Sequence, residues 1–390
     1  MTDRLIINAR VILASGIQPG GVLVRDGRVA SVFNSADTPS GLSSKDIVDL
    51  KDEYLAPGMI DIHIHGSAGV DIQTTDVDGL AKLSKYLLGE GVTGYFPTLT
   101  PTDDARYRRS LDVIQAYAAS QTGARAGARI LGVHFEGPFL SRQRCGALHA
   151  DQFRTYDGDR RSLALFLGRR AIGATLMTLA PEVSGGVGLL HDLLSSGARV
   201  FIGHTQADAQ MLDLAFEAGA RHITHYPNGL DPIHHRQPGA ALWGLVRQGA
   251  SLDCIADLHH VDPMMLQLMY GSKGAGRMAL ISDAIMPAGL GDGEFEVWGD
   301  RIKVLNGRTS LGEGPASGSL AGSVITMRQA VKNIVSIGIP LHEAVHMASL
   351  VPAQVAGIDR DYGSIEPGKR ADLIAFDEEY RMQGQWGIDE

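Results

Sequence analysis

The chain has 390 residues, 44% hydrophobic and 20% charged, with a formal net charge of −9. That is enough apolar material for one large core and a smaller satellite, and it excludes disordered and fibrous classes. The acidic balance, without a Lys/Arg cluster long enough to build a basic face, excludes a nucleic-acid partner and leaves a small molecule as the default ligand.

The N-terminal stretch MTDRLIINARVIL carries no charged leader followed by a sustained apolar region, and no window is apolar enough to cross a bilayer, so neither export nor membrane insertion is expected. Two cysteines, Cys145 and Cys254, lie far apart and outside any C-x-x-C pair. A reducing, cytoplasmic setting fits them better than a disulfide framework or a thiolate zinc site. The segments LIINARVIL, GVLVRD and RVASVF, separated by turn signals such as Asp26-Gly27, read as small antiparallel strands. From Leu55 onward short apolar runs alternate with longer helical patterns. The runs are PGMIDIHIHG, VTGYFPTLT, ARILGVHFEG, ATLMTLAPE, ARVFIGH, ARHITHY, ASLDCIA and RMALISDA. Eight strand-then-helix units predict a (β/α)8 barrel, with an open doubly wound sheet as the alternative. After the eighth run come a Gly/Ser-rich loop, ASGSLAGS, two helical patterns, and the strand-like GSIEPGKRADLIAFDEE. The expected architecture is an α/β fold with residues 56–354 as the barrel and residues 1–55 and 355–390 joined as one discontinuous β-sandwich domain.

Side chains alternate along a strand, so His63 and His65 of Asp61-Ile62-His63-Ile64-His65 project to the same side at the end of the first barrel strand. Barrel active sites are built at such ends, where two imidazoles can share a divalent metal. A chance H-x-H is not rare among 14 histidines. Other strand ends, however, carry the same kind of residue: Glu136, His204, His225 and Asp283. Repeated imidazole and carboxylate groups closing apolar strands are expensive to bury unless they coordinate something. A donor set without thiolate suits zinc or iron(II).

PGMIDIHIHG resembles the opening signature of the amidohydrolase superfamily, and GSIEPGKRADLIAFD resembles its closing strands. HFEGPFLSRQRCGALH, GHTQAD, THYPNGLDPIHHRQPG, IADLHHVDP, LISDAIMPAG and GSLAGS follow in the order and approximate spacing of the N-acetylglucosamine-6-phosphate deacetylases. The resemblance implies that Glu136, His204 and His225 form the main metal site, Glu136 standing where other superfamily members have a carboxylated lysine. Members of the family vary in whether they keep both histidines of H-x-H, so the resemblance implies one or two ions per subunit, the second held by His63 and His65 and bridged by Glu136. Asp283 becomes the general base and acid, working on water whose pKa a divalent cation lowers to about 7. It further implies sugar and amide contacts for His149 and His260, contacts for Asn228 and Gly229, and a loop from Ser319 through Leu320 and Ala321 to Gly322 that closes over the sugar. Arg236 would hold the phosphate across the interface of a homodimer, its planar fork suiting an oxyanion.

Departures touch the substrate wall. Tyr226-Pro227-Asn228-Gly229 replaces the usual L-F-N-A, and Leu258-His259-His260 displaces a usual glycine. His149 stands one residue further from Glu136 than the common K-G-x-H arrangement, so Ala147 or Leu148 is the alternative occupant of its place. The function implied is hydrolysis of N-acetylglucosamine 6-phosphate to glucosamine 6-phosphate and acetate. The galacto epimer, another amidohydrolase chemistry on a small N-acyl substrate, and a non-catalytic scaffold are the alternatives.

Overall fold

A computed structural model describes residues 3–37, 39, 46–121, 126–168, 172–312 and 317–386. The rest of the two terminal segments, and Ala316 at the start of the Gly/Ser-rich loop, lie outside the described residues.

All eight apolar runs form parallel strands: Met59–Ile64, Val92–Leu99, Gly132–Glu136, Ala174–Leu179, Arg199–Ile202, His222–Ile223, Ser251–Ile255 and Met278–Ile281. Each pairs with the next in sequence order. A parallel bridge between Ile64 and Ala284 closes the ring, with His65 N donating to Ala284 O at 2.8 Å. Helices cover the outside, so both strand faces are out of water. That is why the strands read as nearly unbroken apolar runs instead of alternating ones. The helices start where the sequence supplies a side-chain acceptor for an otherwise unpaired backbone N–H. Asp76, Asp103, Asp208, Asp262 and Thr326 each cap the helix that follows. Among the described residues no helix is long and apolar enough to cross a membrane.

The chain ends meet in one seven-stranded sheet. Its members are Arg4–Leu13, Gly16–Arg25, Arg28–Asn34, Ile47–Asp49, Tyr54–Pro57, Leu373–Phe376 and Met382–Trp386. Asp26-Gly27 forms the two-residue turn between paired Arg25 and Arg28, both turn residues having positive φ. The module is not wholly antiparallel as expected at its N-terminal end, since Ile47–Asp49 and Tyr54–Pro57 run parallel to the first strand. Tyr54–Pro57 joins the two ends of the chain, pairing antiparallel with Leu373–Phe376 on its other side. The sheet buries both faces. Leu5, Leu23 and Phe33 pack on one, and Ile6, Val22, Val24 and Leu373 on the other.

One element had no place in the sequence reading. Gly293–Val297, Asp300–Leu305 and Arg308–Leu311 form a three-stranded antiparallel sheet inserted after the eighth barrel strand.

Candidate active site

Six residues converge at the C-terminal end of the barrel. Glu136 is the last residue of the third strand, while His204, His225 and Asp283 each sit two residues beyond the end of the fifth, sixth and eighth. The last three share a left-handed backbone, with φ of 47°, 31° and 48°. For non-glycine residues this conformation costs free energy, and its repetition at three strand ends is the kind of strain that gathers at functional sites. All three side chains reach the same centre, His204 and His225 meeting Glu136 and Asp283 meeting His63 and His65.

Glu136 Oε1 lies 2.9 Å from Nε2 of both His204 and His225, and those two nitrogens are 3.0 Å apart. Its other oxygen, Oε2, is 3.3 Å from His65 Nε2 and 3.7 Å from His63 Nε2, which are 3.1 Å from each other. Asp283 Oδ1 completes the second group, 3.2 Å from His65 Nε2 and 3.4 Å from His63 Nε2. Donor atoms sharing one cation at about 2.1 Å stand roughly 3.0–3.4 Å apart; those of Glu136, His204 and His225, 2.9–3.0 Å apart, lie close to that spacing, and those of Glu136, His63 and His65, 3.1–3.7 Å apart, are slightly wider.

The backbone around them sets the tautomers. A carbonyl can only accept, so Arg144 O at 2.6 Å, Asn228 O at 3.2 Å and Thr98 O at 3.3 Å fix the proton on Nδ1 of His204, His225 and His65 and leave Nε2 facing the centre. Nδ1 of His63 is buried without a hydrogen-bond partner. Four imidazoles and two carboxylates, all buried, would be a costly cluster in an apolar barrel. The donor chemistry and the inward-facing nitrogens fit a divalent cation. Burial opposes the charge on Glu136, but His63 and the hydrogen bonds from His204 and His225 outweigh it and hold the carboxyl well below the usual carboxylate range. Asp283 is also lowered, since His63 and His65 overcome its desolvation.

A pocket with about 890 Å³ of empty space, part of it open to solvent, rises from this centre. Its wall includes Ala147, Leu148, Asn228, Gly229, Ile255, His260, Trp298, Ser319, Leu320 and Gly322. His260 Nδ1 donates to Asp257 Oδ2 at 2.7 Å, which aims its other nitrogen independently of solvent. Gly229 has φ +67°, and a Cβ there would stand 3.1 Å from His204 Nδ1, so both the conformation and the close approach call for glycine.

Three expected contacts are placed elsewhere. His149 does not line the pocket: it is 44% exposed and its Nε2 pairs with Asp300 Oδ2 at 3.1 Å, while Ala147 and Leu148 occupy the wall. The extra residue between Glu136 and His149 turns the imidazole out of the pocket. Ala321 is 2% exposed and packs with Ile285 and Val297 instead of facing the cavity. Arg236 is exposed on its own loop, and the pocket wall of a single chain contains no lysine or arginine among the described residues.

Sequence reasoning missed Trp298 and Asp253. Trp298 belongs to the inserted sheet and packs edge-to-face on His65, with ring centroids 5.1 Å apart. Asp253 is wholly buried in the seventh strand, where one oxygen accepts the backbone N–H of His225 and the other meets His222 Nε2 at 2.8 Å. An aspartate inside the apolar run ASLDCIA was the available signal, since a carboxylate there needs partners.

A model of the amidohydrolase family matches residues 277–386. The N-acetylgalactosamine-6-phosphate deacetylase of Escherichia coli O157:H7 is 34% identical over 364 residues, covering 93% of this chain and 92% of that one. The N-acetylglucosamine-6-phosphate deacetylase of Bacillus subtilis (strain 168) is 33% identical over 378 residues, with 96% and 93% covered. The crystal structure of N-acetylglucosamine-6-phosphate deacetylase from Pasteurella multocida superposes with a TM-score of 0.89 at 28% identity, covering 99% of this chain and 98% of that one. With relatives above 30% identity spanning nearly its whole length, the chain belongs to the amidohydrolase family and, within it, to the N-acetylglucosamine-6-phosphate deacetylases.

Proposed function

We propose that this chain hydrolyses the acetamide of N-acetylglucosamine 6-phosphate, giving glucosamine 6-phosphate and acetate, and that the barrel, residues 56–354, carries the reaction while residues 1–55 and 355–390 form a supporting domain. The observation that carries the reading is Glu136, with one oxygen on His204 and His225 and the other on His65 and His63, beside Asp283 at the same strand-end layer.

Glu136, His204 and His225 would hold the principal cation, and His63 and His65 a second one; zinc or iron(II) suits this mix of imidazole and carboxylate. A divalent cation bound there acidifies water and polarises the amide carbonyl. Asp283, held ionised, accepts the proton of the attacking water and returns it to the amine nitrogen as the C–N bond breaks, so that one carboxylate serves as base and then acid. His260, steadied by Asp257, Asn228 and the backbone at Gly229 orient the sugar. Leu320 and Gly322 close the far side.

The phosphate carries charge, and among the described residues the pocket wall of one chain has no lysine or arginine to meet it. Arg236, exposed and without an acidic partner among the described residues, is the group a second copy would supply, which makes the active assembly a homodimer. Two unpaired cysteines suit a reducing, cytoplasmic setting.

Acetate release from metal-loaded protein tests this, with N-acetylglucosamine 6-phosphate, the galacto epimer and the unphosphorylated sugar side by side. Preference for the first is expected. The galacto epimer is the second reading, favoured by the E. coli relative at 34% identity, and activity on that epimer alone would change the substrate and keep the mechanism. No release from any of the three would overturn the deacetylase reading.

A further inference from the structure

Val297 pairs with Asp300, so Trp298-Gly299 is a two-residue hairpin turn, with φ of 57° and 89°. The next turn of the same sheet, Asn306-Gly307, uses the residues such a turn favours. Trp298 does not belong there on conformational grounds, since a bulky side chain with positive φ is an outlier. Its indole is nonetheless set against the reacting centre, edge-to-face on His65 and lining the pocket together with Asp283.

Ala147, from the loop after the third barrel strand, and Trp298 each pack against the same apolar cluster, which includes Ile285 and Val297. The His149–Asp300 pair ties that loop to the hairpin. The pocket is therefore two-sided near Asp283. Trp298 and Ala147 make an apolar corner, whereas the polar groups of Asn228, Gly229 and His260 come from the segments after the sixth and seventh barrel strands. An N-acyl amino-sugar phosphate is two-sided in the same sense. Its sugar offers hydroxyls and a phosphate, and its acyl chain, bonded to the carbonyl carbon that must react, offers only C–H surface. Apolar surface is stabilised against the indole and the polar part against the donors.

We propose that Trp298 is the wall of the acyl subsite and a specificity-determining residue, restricting the chain to acetyl by filling the space a longer acyl group needs. This rests on the deacetylase reading above.

The test compares wild type, Trp298→Ala and Trp298→Phe on N-acetyl, N-propionyl and N-butyryl glucosamine 6-phosphate, with metal content and melting temperature measured on each protein. In Trp298→Ala the butyryl-to-acetyl ratio of kcat/KM should rise at least about tenfold, the scale of discrimination a pocket exerts per one or two methylenes. Trp298→Phe should give a smaller rise, with metal content unchanged in both. Should the alanine variant not fold, the phenylalanine ratio decides alone. An unmoved ratio, or a KM that rises equally for all three substrates as loss of a sugar-stacking face would cause, overturns the acyl wall while wild-type activity keeps the deacetylase reading. If wild type releases no acid from any of the three, both fall.

Discussion

Asp283 and the histidines around it make opposite predictions for the same protein. Asp283 can be replaced by asparagine without altering the donor atoms that Glu136, His204 and His225 present to each other. Asp283→Asn should therefore keep the principal metal and lose roughly 10²–10⁴ in kcat, the range for removing a general acid–base group. Elemental analysis beside turnover checks it, and an active asparagine variant would remove Asp283 from the mechanism. The imidazoles bear on loading instead. In the cation-free chain burial disfavours charge on His65, but the hydrogen bonds it donates to Asp283 and Glu136 win and push its pKa up to about 10. In His225 the contest of burial against Glu136 ends at about 9. Proton and cation compete for the same Nε2 lone pairs, so loading at neutral pH should release protons, and affinity should climb with pH and flatten once these two groups have titrated. Calorimetry in buffers of different ionisation enthalpy reads the protons directly, and buffer-independent heats would contradict the scheme. These strand-end residues are legible in sequence because each closes an apolar run with a group that is costly to bury. His149 is not, because one residue of loop decides which way its ring faces, and neither residue type nor spacing encodes that turn.

The eight barrel strands are legible for a different reason: an element buried on both faces must be apolar throughout, and such runs stand out between helical patterns. The inserted sheet follows the other rule. Its strands GEFEV and DRIKVL alternate buried and exposed positions and are marked by Asn306-Gly307, yet they lie among loop-like glycines after the count of eight is complete. Its effect on the site runs through a short strap. Thr309 Oγ1 donates to Gly322 O at 2.5 Å, Ser323 N donates to Asp283 O at 2.8 Å, and Ile285 N donates to Ser323 O at 3.0 Å. Gly322 has φ +54°, and a Cβ there would come within 2.5 Å of Ile285 Cγ2 and 3.2 Å of Asp283 O. Gly322→Ala thus forces both a left-handed alanine and a shift of the segment that carries Asp283, at a cost of about 1–3 kcal/mol. KM for the phosphorylated sugar should rise roughly tenfold or more, with metal content retained. Steady-state kinetics and metal analysis check this pair of outcomes, and a variant with wild-type KM would mean that the strap does not shape the pocket.

At the scale of the whole molecule the pocket poses a problem of charge. Its wall, as a single chain supplies it, holds imidazoles and carboxylates but no lysine or arginine among the described residues, while Arg236 stands exposed on a loop of its own. If Arg236 serves its own chain, a subunit lacking Asp283 and one lacking Arg236 are both defective and stay so when mixed. If it serves a second copy, the mixed dimer has one site with an intact Asp283 and an arginine from its neighbour, and one site with neither. Random pairing makes half the dimers mixed with one working site in each, so co-refolded Asp283→Asn and Arg236→Ala proteins should recover about a quarter of wild-type activity towards the phosphorylated sugar. The unphosphorylated sugar, which gives Arg236 nothing to hold, should show far less dependence on that residue. Recovery on mixing ties phosphate recognition to assembly, because it requires both that the chain dimerises and that the cation crosses the interface. Equal numbers of defective chains that remain additive after mixing would assign Arg236 to its own subunit and leave the dimer without a catalytic role.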